Sequence, residues 1–557
     1  MWGIQIRRSI RHKNEWAYLT PVPRILAGPQ ALNRVSAGGT LVGLDLPVAG
    51  KNIELKPYGV SRLTTDRVRT PPVNDEFGGD IGGDVKYAVT PNLTADFTVN
   101  TDFAQVEIDE QQVNLTRFSL FFPEKREFFL EGRGIFDFGR GGSGAFGGFG
   151  ASDTPYLFYT RRIGLNGGSV IPINVGGRLT GKLGPYGIGL MNIQTASDAV
   201  SGTDATNFTV VRLKRDVLRR SAIGLMATNR SVATSGTGSN AAYGVDGTFL
   251  LTQALRAGTY WARTATTGTS GDDQSYQGRV DYSEDRYGAQ AEFLAVGRNF
   301  DPQVGFRRRS DFNRSFGELR FSPRPTRFPS VRKFTWTASG EYVENGAGSV
   351  DARIWEGRFG TEFANSDLLS IDVAHDYEFL RSPFTPSGSP AAIVPGGYTF
   401  ANVAVSYAFG AQRRASGTIA VQSGQYYDGT IRSVTFGPSR MSPARIAVFQ
   451  RLTVEPTMSI TRVERPAASF TTRLARARAD YAFSPLMFAS ALLQYSSADR
   501  AFGTNLRFRW EYAPGSELFL VYTDERDITD DRFATPTTVR GLKNRAFVVK
   551  VNRLLRY

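Results

Sequence analysis

Asn505-Leu506-Arg507-Phe508-Arg509-Trp510-Glu511-Tyr512 alternates polar and apolar residues without a break. In an extended chain successive side chains point to opposite faces. Leu506, Phe508, Trp510 and Tyr512 would therefore share one face, and Asn505, Arg507, Arg509 and Glu511 the other. The same two-faced pattern recurs from about residue 80 to the C-terminus. A soluble sandwich turns the apolar face of each strand onto a second sheet. An outer-membrane barrel turns that face to lipid and lines a wet lumen with the polar one, which makes Arg507, Arg509 and Glu511 lumen-facing candidates.

Composition favours the barrel. A chain of 557 residues has the length of several soluble domains, yet no helical, charge-rich or Pro/Ser-rich stretch divides its body. One large closed sheet accounts for that uniformity. No apolar run approaches the roughly 18 to 20 residues a spanning helix needs. A membrane-spanning form must then be a closed barrel, the other structure that satisfies every backbone hydrogen-bonding group in hydrocarbon. With no Cys and two His, disulfides and thiolate sites are excluded, and no metal or cofactor is expected. The formal charge of +14 is scattered through strands and loops rather than gathered on one helix or tail. That is a poor footprint for nucleic acid, and it suits lipopolysaccharide phosphates or an anionic solute better. Met1 to Ile10, followed by Arg11, His12, Lys13 and Asn14, shows no apolar leader core or cleavage site. Because a barrel must be exported, the sequence reads as a mature or partial chain, or as one begun at an internal Met.

Hairpins can be read directly. Val85, Tyr87 and Val89 alternate with Asp84, Lys86 and Ala88; Thr90-Pro91-Asn92 turns the chain, and Leu93, Ala95, Phe97 and Val99 alternate in their turn. Similar short breaks stand at Gly184-Pro185, Arg219-Arg220, Asp285-Arg286, Ser366-Asp367, Ser484-Pro485 and Pro514-Gly515. Longer polar stretches such as Ala233 to Asn240, Thr266 to Asp273 and Asp527 to Arg532 lie between them. Short periplasmic turns alternating with long outer loops are what a transmembrane barrel requires. The spacing predicts an all-β, antiparallel transmembrane barrel of about 24 strands, within about 20 to 28. In the last strand Phe547, Val549, Val551, Leu555 and Tyr557 share a face that Arg553 interrupts. A terminal strand ending in an aromatic such as Tyr557 resembles the signal read by the barrel assembly machinery; an ordinary edge strand is the alternative.

Residues 102 to 150 break the alternation. Asp102 to Glu110 is acidic, Phe118 to Gly132 packs five phenylalanines around five charges, and a glycine-rich tail runs from Gly139 to Gly150. Buried charge is tolerated only when paired, so Glu124, Lys125, Arg126, Glu127 and Glu131 are expected to form a compensated network. Asp102, Glu107, Arg133, Arg161 and Arg162 complete the candidate gate or plug set. The insert, taken as 102–155, is expected in the lumen or at its periplasmic mouth.

The stretch DFAQVEIDEQQVNLTRFSLFFPEKREFFLEG (Asp102 to Gly132), with FYTRRIG (Phe158 to Gly164) and more weakly YYDG (Tyr426 to Gly429), resembles a bacterial family of unknown function, DUF5916. That resemblance implies a large outer-membrane barrel, of a Gram-negative bacterium, preceded by a carbohydrate-binding module similar to family 9. No stretch of this sequence reads as that whole module. Trp2 to Arg24 looks like its closing strand and linker, so residues 1–30 read as a remnant and 31–557 as the barrel. A link to saccharides is what the resemblance implies.

Catalytic patterns are weak. Gly176-x4-Gly181-Lys182 has Leu183 where a phosphate loop needs Ser or Thr, and Gly139-x-Gly141-x-x-Gly144 lacks the flanking strand and helix of a dinucleotide site. His12 and His375 are the only imidazoles, no nucleophile elbow is present, and His375 suits a lumen or interface position better than a base. Glu124, Glu127 and Glu131 could supply a glycosidase pair, but each has Lys125, Arg126 or Arg133 nearby. Tyr426 and Tyr427 read as girdle or core residues before sugar platforms. The leading expectation is therefore an outer-membrane conduit or scaffold without catalytic residues. A cell-surface glycan hydrolase and a soluble β-rich binding protein are the alternatives.

Overall fold

The structure is a computed structural model that describes residues 2–10, 15–22, 32, 38–43, 52–68, 71–101, 109–139, 153–166, 169–199, 201–218, 220–438, 444–528 and 541–557. Met1, Arg11 to Asn14, Asp102, Glu107, the glycines from Gly141 to Gly150, Arg219 and the loop from Thr529 to Arg532 lie outside those residues. Near the N-terminus, Trp2–Ile4 pairs with Gly39–Leu41 and Arg7–Ile10 with Glu15–Tyr18 in two small sheets.

The rest is one closed antiparallel barrel of 24 strands. Every strand pairs with its sequence neighbours, as the short turns demand. The seam is closed by Ile53–Asp66, which pairs with Val73–Thr90 on one side and with Leu542–Asn552 and Leu555–Arg556 on the other. Ile53 and Tyr557 exchange backbone hydrogen bonds there. The sequence-read breaks at Pro91-Asn92, Gly184-Pro185, Asp285-Arg286, Ser366-Asp367, Ser484-Pro485 and Pro514-Gly515 all fall between paired strands at the rim that also holds the C-terminus. Gly184 has φ +59°, which a glycine adopts freely. The other rim carries the long connections, including residues 231–239, 267–273, 297–311 and 381–395.

Outward faces carry Leu213, Leu225, Val245, Val280, Val405, Val421 and Leu506, all exposed, with no second sheet over them among the described residues. Aromatic rings border this band twice. Toward the short turns Tyr287, Phe321, Trp336 and Phe359 touch in a row, as do Phe449, Tyr481, Phe483 and Phe508. Toward the long loops Tyr243 meets Trp261 and Tyr276 meets Phe293. On strand Gln274–Ser283, Tyr276 and Tyr282 belong to opposite borders, roughly 20 Å apart along the strand at about 3.3 Å per residue. Two aromatic girdles flanking an apolar band are the pattern that transmembrane barrels carry on their outer surface. Exposed His375 lies on this outward face with Ile371 and Val373, on the interface side rather than in the lumen.

Inward faces depart from the simple expectation of a polar lumen. Met191, Ile193, Phe208, Val210, Met226, Leu294 and Val296 point inward and are almost fully buried. Alternation identifies which residues share a face but not which solvent each face meets, and here part of the inner wall is covered by protein.

Candidate functional site

The covering protein is the segment between strands Leu93–Thr101 and Ile173–Leu183. These two strands are neighbours in the wall, so the segment leaves and rejoins the barrel at the long-loop rim. Its described part lies inside. Near its start Gln111 donates its backbone N–H to Gln494, Arg476 pairs with Glu110 at 2.6 Å, and Tyr426 donates to the Leu115 carbonyl. Arg117 pairs with Glu378 at 2.6 Å. The chain then descends to the short helix Glu127–Leu130 and the 3-10 turn Arg133–Phe136 against the opposite wall. Phe129, Phe136, Phe138, Leu157 and Ile163 join the inward residues of the wall in one apolar cluster. It climbs back along residues 297–311, where Tyr156 and Phe306 form a β-bridge. Gly305 stands there because a Cβ would lie 1.9 Å from the Tyr156 carbonyl oxygen.

Besides these contacts near its start, charges fasten the segment at its tip and within itself. At its tip, the register of the hairpin and its neighbour puts Lys86, Asp96 and Arg178 side by side on three adjacent strands. Arg178, its side chain 1% exposed, donates to Asp96 at 2.7 Å, to the carbonyls of Phe128 and Glu131 at 2.5 Å each, and to the Glu131 carboxylate at 3.3 Å. Lys86 also reaches Glu131 at 2.6 Å. Burial opposes ionisation of Glu131, but Lys86 and Arg178 prevail and hold its carboxyl below the usual carboxylate range. Arg212 and Asp246 repeat the device at 2.6 Å, with Asp246 accepting from the Gly139 N–H and Arg212 over the Phe138 ring.

The second fastening is within the segment. Glu124 and Arg126, both nearly fully buried, pair at 2.7 Å, and Arg126 also donates to the carbonyls of Thr160 and Ile163 and lies over Phe129. Desolvation penalises the Glu124 carboxylate, yet the Arg126 guanidinium keeps it below the ordinary range. Asp109 takes Arg161 and, at 3.9 Å, Lys125. Arg162 donates to the Gly305 carbonyl. Burial pushes the Tyr159 hydroxyl up to about 12 although Arg161 opposes it; it donates to Phe122. Higher up, the Phe118 ring is enclosed by the guanidinium groups of Arg117, Arg308 and Arg309 at 4.9, 4.2 and 4.5 Å.

The candidate residues thus fall into separate sets rather than one network. Glu131 is compensated from the wall, not by Arg133; Glu127 and Arg133 form no salt bridge among the described residues; Asp102 and Glu107 lie outside them. Arg507 and Arg509 are on the inner face, where Arg509 pairs with Glu517 and approaches Glu511 at 3.9 Å. Sequence reading missed Lys86, Asp96 and Arg178. The turn register would have placed Lys86 opposite Asp96, but nothing in a single alternating strand marks Arg178 as an anchor. Tyr426 and Tyr427 are buried in an inward cluster with Phe384, Tyr398 and Phe400. Among the described residues no cluster of His, Cys, Asp or Glu could hold a metal.

No curated protein matches the chain in sequence. Solved structures similar to it include the ferric-catecholate import receptor Fiu of E. coli K12, at 9% identity and TM-score 0.31 over 92% of this chain and 82% of that one. The siderophore receptor PirA of Acinetobacter baumannii gives 7% and 0.39 over 92% and 81%, and OccAB3 of the same organism 10% and 0.25 over 92% and 100%. At such values the barrel stands on its own strand pairing. Residues 52–172, from the seam strand through the whole plug, match the family described as Domain of unknown function (DUF5916), the family its longest motif resembles.

Proposed function

We propose that the protein is an outer-membrane conduit whose lumen is closed by residues 109–139 and 153–166 and opened by displacing them. The observation that carries this reading is the seating of the plug tip. Arg178 of the wall ties two plug carbonyls and Glu131 by hydrogen bonds that can be broken without unravelling any strand pair. The outer aromatic girdles and the exposed apolar band support a membrane setting, with the short-turn rim toward the periplasm. Outer-membrane lipid, lipopolysaccharide and the assembly machinery are the partners such a setting supplies.

The glycan-hydrolase alternative finds less support. A glycosidase general acid needs a raised pKa, whereas Glu124 and Glu131 are both held low by cations. The saccharide link is not favoured by Tyr426 and Tyr427, whose rings are packed inside. The test is conductance in planar bilayers for the native chain and a form in which residues 109–166 are replaced by a short Gly/Ser linker. A closed native protein and an open deletion form support the conduit; two forms that insert and never conduct refute it.

A further inference from the structure

Three arginines on the outer surface have no place in the plug or its anchoring. Arg432, on strand Gly429–Gly437, stands directly opposite Arg462, on strand Leu452–Glu464. Arg473, on strand Ser469–Ser484, is opposite Ile460, one outward position below Arg462. All three are exposed, and they share the outward face with exposed Val434 and Ile460. They sit just under the long-loop rim, since Thr430 pairs with Glu464, and Glu464 with Ser469, at the strand ends. Glu464 pairs with Arg462 at 2.8 Å; among the described residues Arg432 and Arg473 have no carboxylate partner.

Like charges directly opposite on a sheet destabilise it, and exposed strand positions at this level offer many neutral alternatives. A cationic triangle immediately above an apolar band matches a lipid whose acyl chains lie along that band and whose anionic headgroup lies at its edge. We infer that Arg432, Arg462 and Arg473 form a binding site for a phosphorylated headgroup of the leaflet at the long-loop rim. This rests on the membrane orientation proposed above. Phosphate oxygens accept charge-assisted, bidentate hydrogen bonds from guanidinium groups, which turns the Arg432 and Arg462 repulsion into joint coordination.

The test uses the full chain in nanodiscs of phosphatidylcholine containing trace lipid A, either bis-phosphorylated or dephosphorylated, and counts lipid A retained after exchange into neutral detergent. The native chain should retain the phosphorylated form preferentially. Arg462→Gln should lose about fivefold and the triple Gln variant about a hundredfold, from roughly fivefold for each basic residue facing anionic lipid. Arg286→Gln, at the short-turn rim, should retain lipid A like the native chain. In lipid-free detergent the triple variant should unfold together with the native chain, because the lost Arg432–Arg462 repulsion offsets the lost, exposed Arg462–Glu464 pair. Equal retention by the triple variant, indifference to the phosphates, or displacement by millimolar inorganic phosphate would each overturn the lipid site. A native chain that inserts but retains no lipid A refutes this inference alone, whereas one that never inserts removes the membrane reading with it.

Discussion

Replacing Arg178 by alanine should unseat the plug without opening the wall. The side chain is 1% exposed and that of Asp96 9%, so the substitution strands a buried carboxylate along with the carbonyls of Phe128 and Glu131. Removing one partner of a buried pair costs about 3–5 kcal/mol, most of it the penalty of leaving the other uncompensated. Lys86 lies 3.8 Å from Asp96 and can recover part of this, which favours the lower figure. About 3 kcal/mol corresponds to roughly a hundredfold rise in the undocked population. Single-channel recording should register that change as a matching rise in open probability, and hydrogen exchange as faster labelling of residues 127–136. Strand amides should stay protected, because the wall pairing at residue 178 is backbone to backbone. Lys182→Ala is the control: its pair with Asp216 is exposed on both sides and should move neither readout. If Arg178→Ala inserts normally yet leaves open probability and tip exchange unchanged, the seating of the plug does not depend on this residue and the gating argument fails.

Other perturbations separate the parts of the molecule. Phe129→Ala deletes a ring 1% exposed that lies under Arg126, and should cost the plug about 3–5 kcal/mol, seen as protease cleavage within 109–139 while the barrel stays intact. Acid should release the plug only late. Glu124 and Glu131 have depressed values when docked, so their contribution is complete above the ordinary carboxylate range of about 4.3 and is lost as pH falls through the lower docked values. Conductance should therefore be flat from about pH 5 to 8 and rise below about pH 4. With the plug deleted, Arg507→Glu together with Arg509→Glu should move the reversal potential in a salt gradient toward cation preference. Tyr557→Ala keeps the backbone bonds to Ile53 but removes an exposed terminal ring, so slower insertion by the assembly machinery with unchanged final stability is the expected result.

The barrel was legible because its signals are local. Pro91-Asn92, Gly184-Pro185 and Pro514-Gly515 set turns by their own backbone preferences, and Leu506 to Tyr512 shows its two faces within seven residues. The plug was visible only by contrast, as the stretch where alternation stops. Its anchors were not visible, because Arg178 and Asp246 are polar residues on strands that alternate like any other. Inward apolar residues misled for a similar reason: Met191, Ile193, Phe208 and Val210 continue the alternation, and only the plug packed on them explains why the inner wall there is greasy.

The way the plug is attached limits how it can open. Both of its ends are held by adjacent wall strands at the long-loop rim, and its tip reaches down to Thr180, three residues above the end of strand Ile173–Leu183. A plug tethered at both ends cannot leave the barrel as a separate body, so a passage has to form beside it. The contacts on its two sides are unequal. Toward the walls at Arg178, Arg212 and Tyr260 it is held by an apolar cluster and buried ion pairs, while toward Gln494 and Arg476 it makes polar contacts, with Glu110 41% exposed. The polar side is the weaker, since partly exposed pairs contribute about 0–1 kcal/mol each. In the proposed orientation, a force applied from the periplasm would meet the tip first, at the helix Glu127–Leu130, and would have to break the Arg178 fork before the apolar cluster could slide. Spontaneous fluctuation would instead loosen the side facing Arg476 and Gln494. The two sides can be told apart by where exchange speeds up: Arg178→Ala should loosen the tip at residues 127–136, and Arg476→Ala the stretch around Glu110 and Gln111.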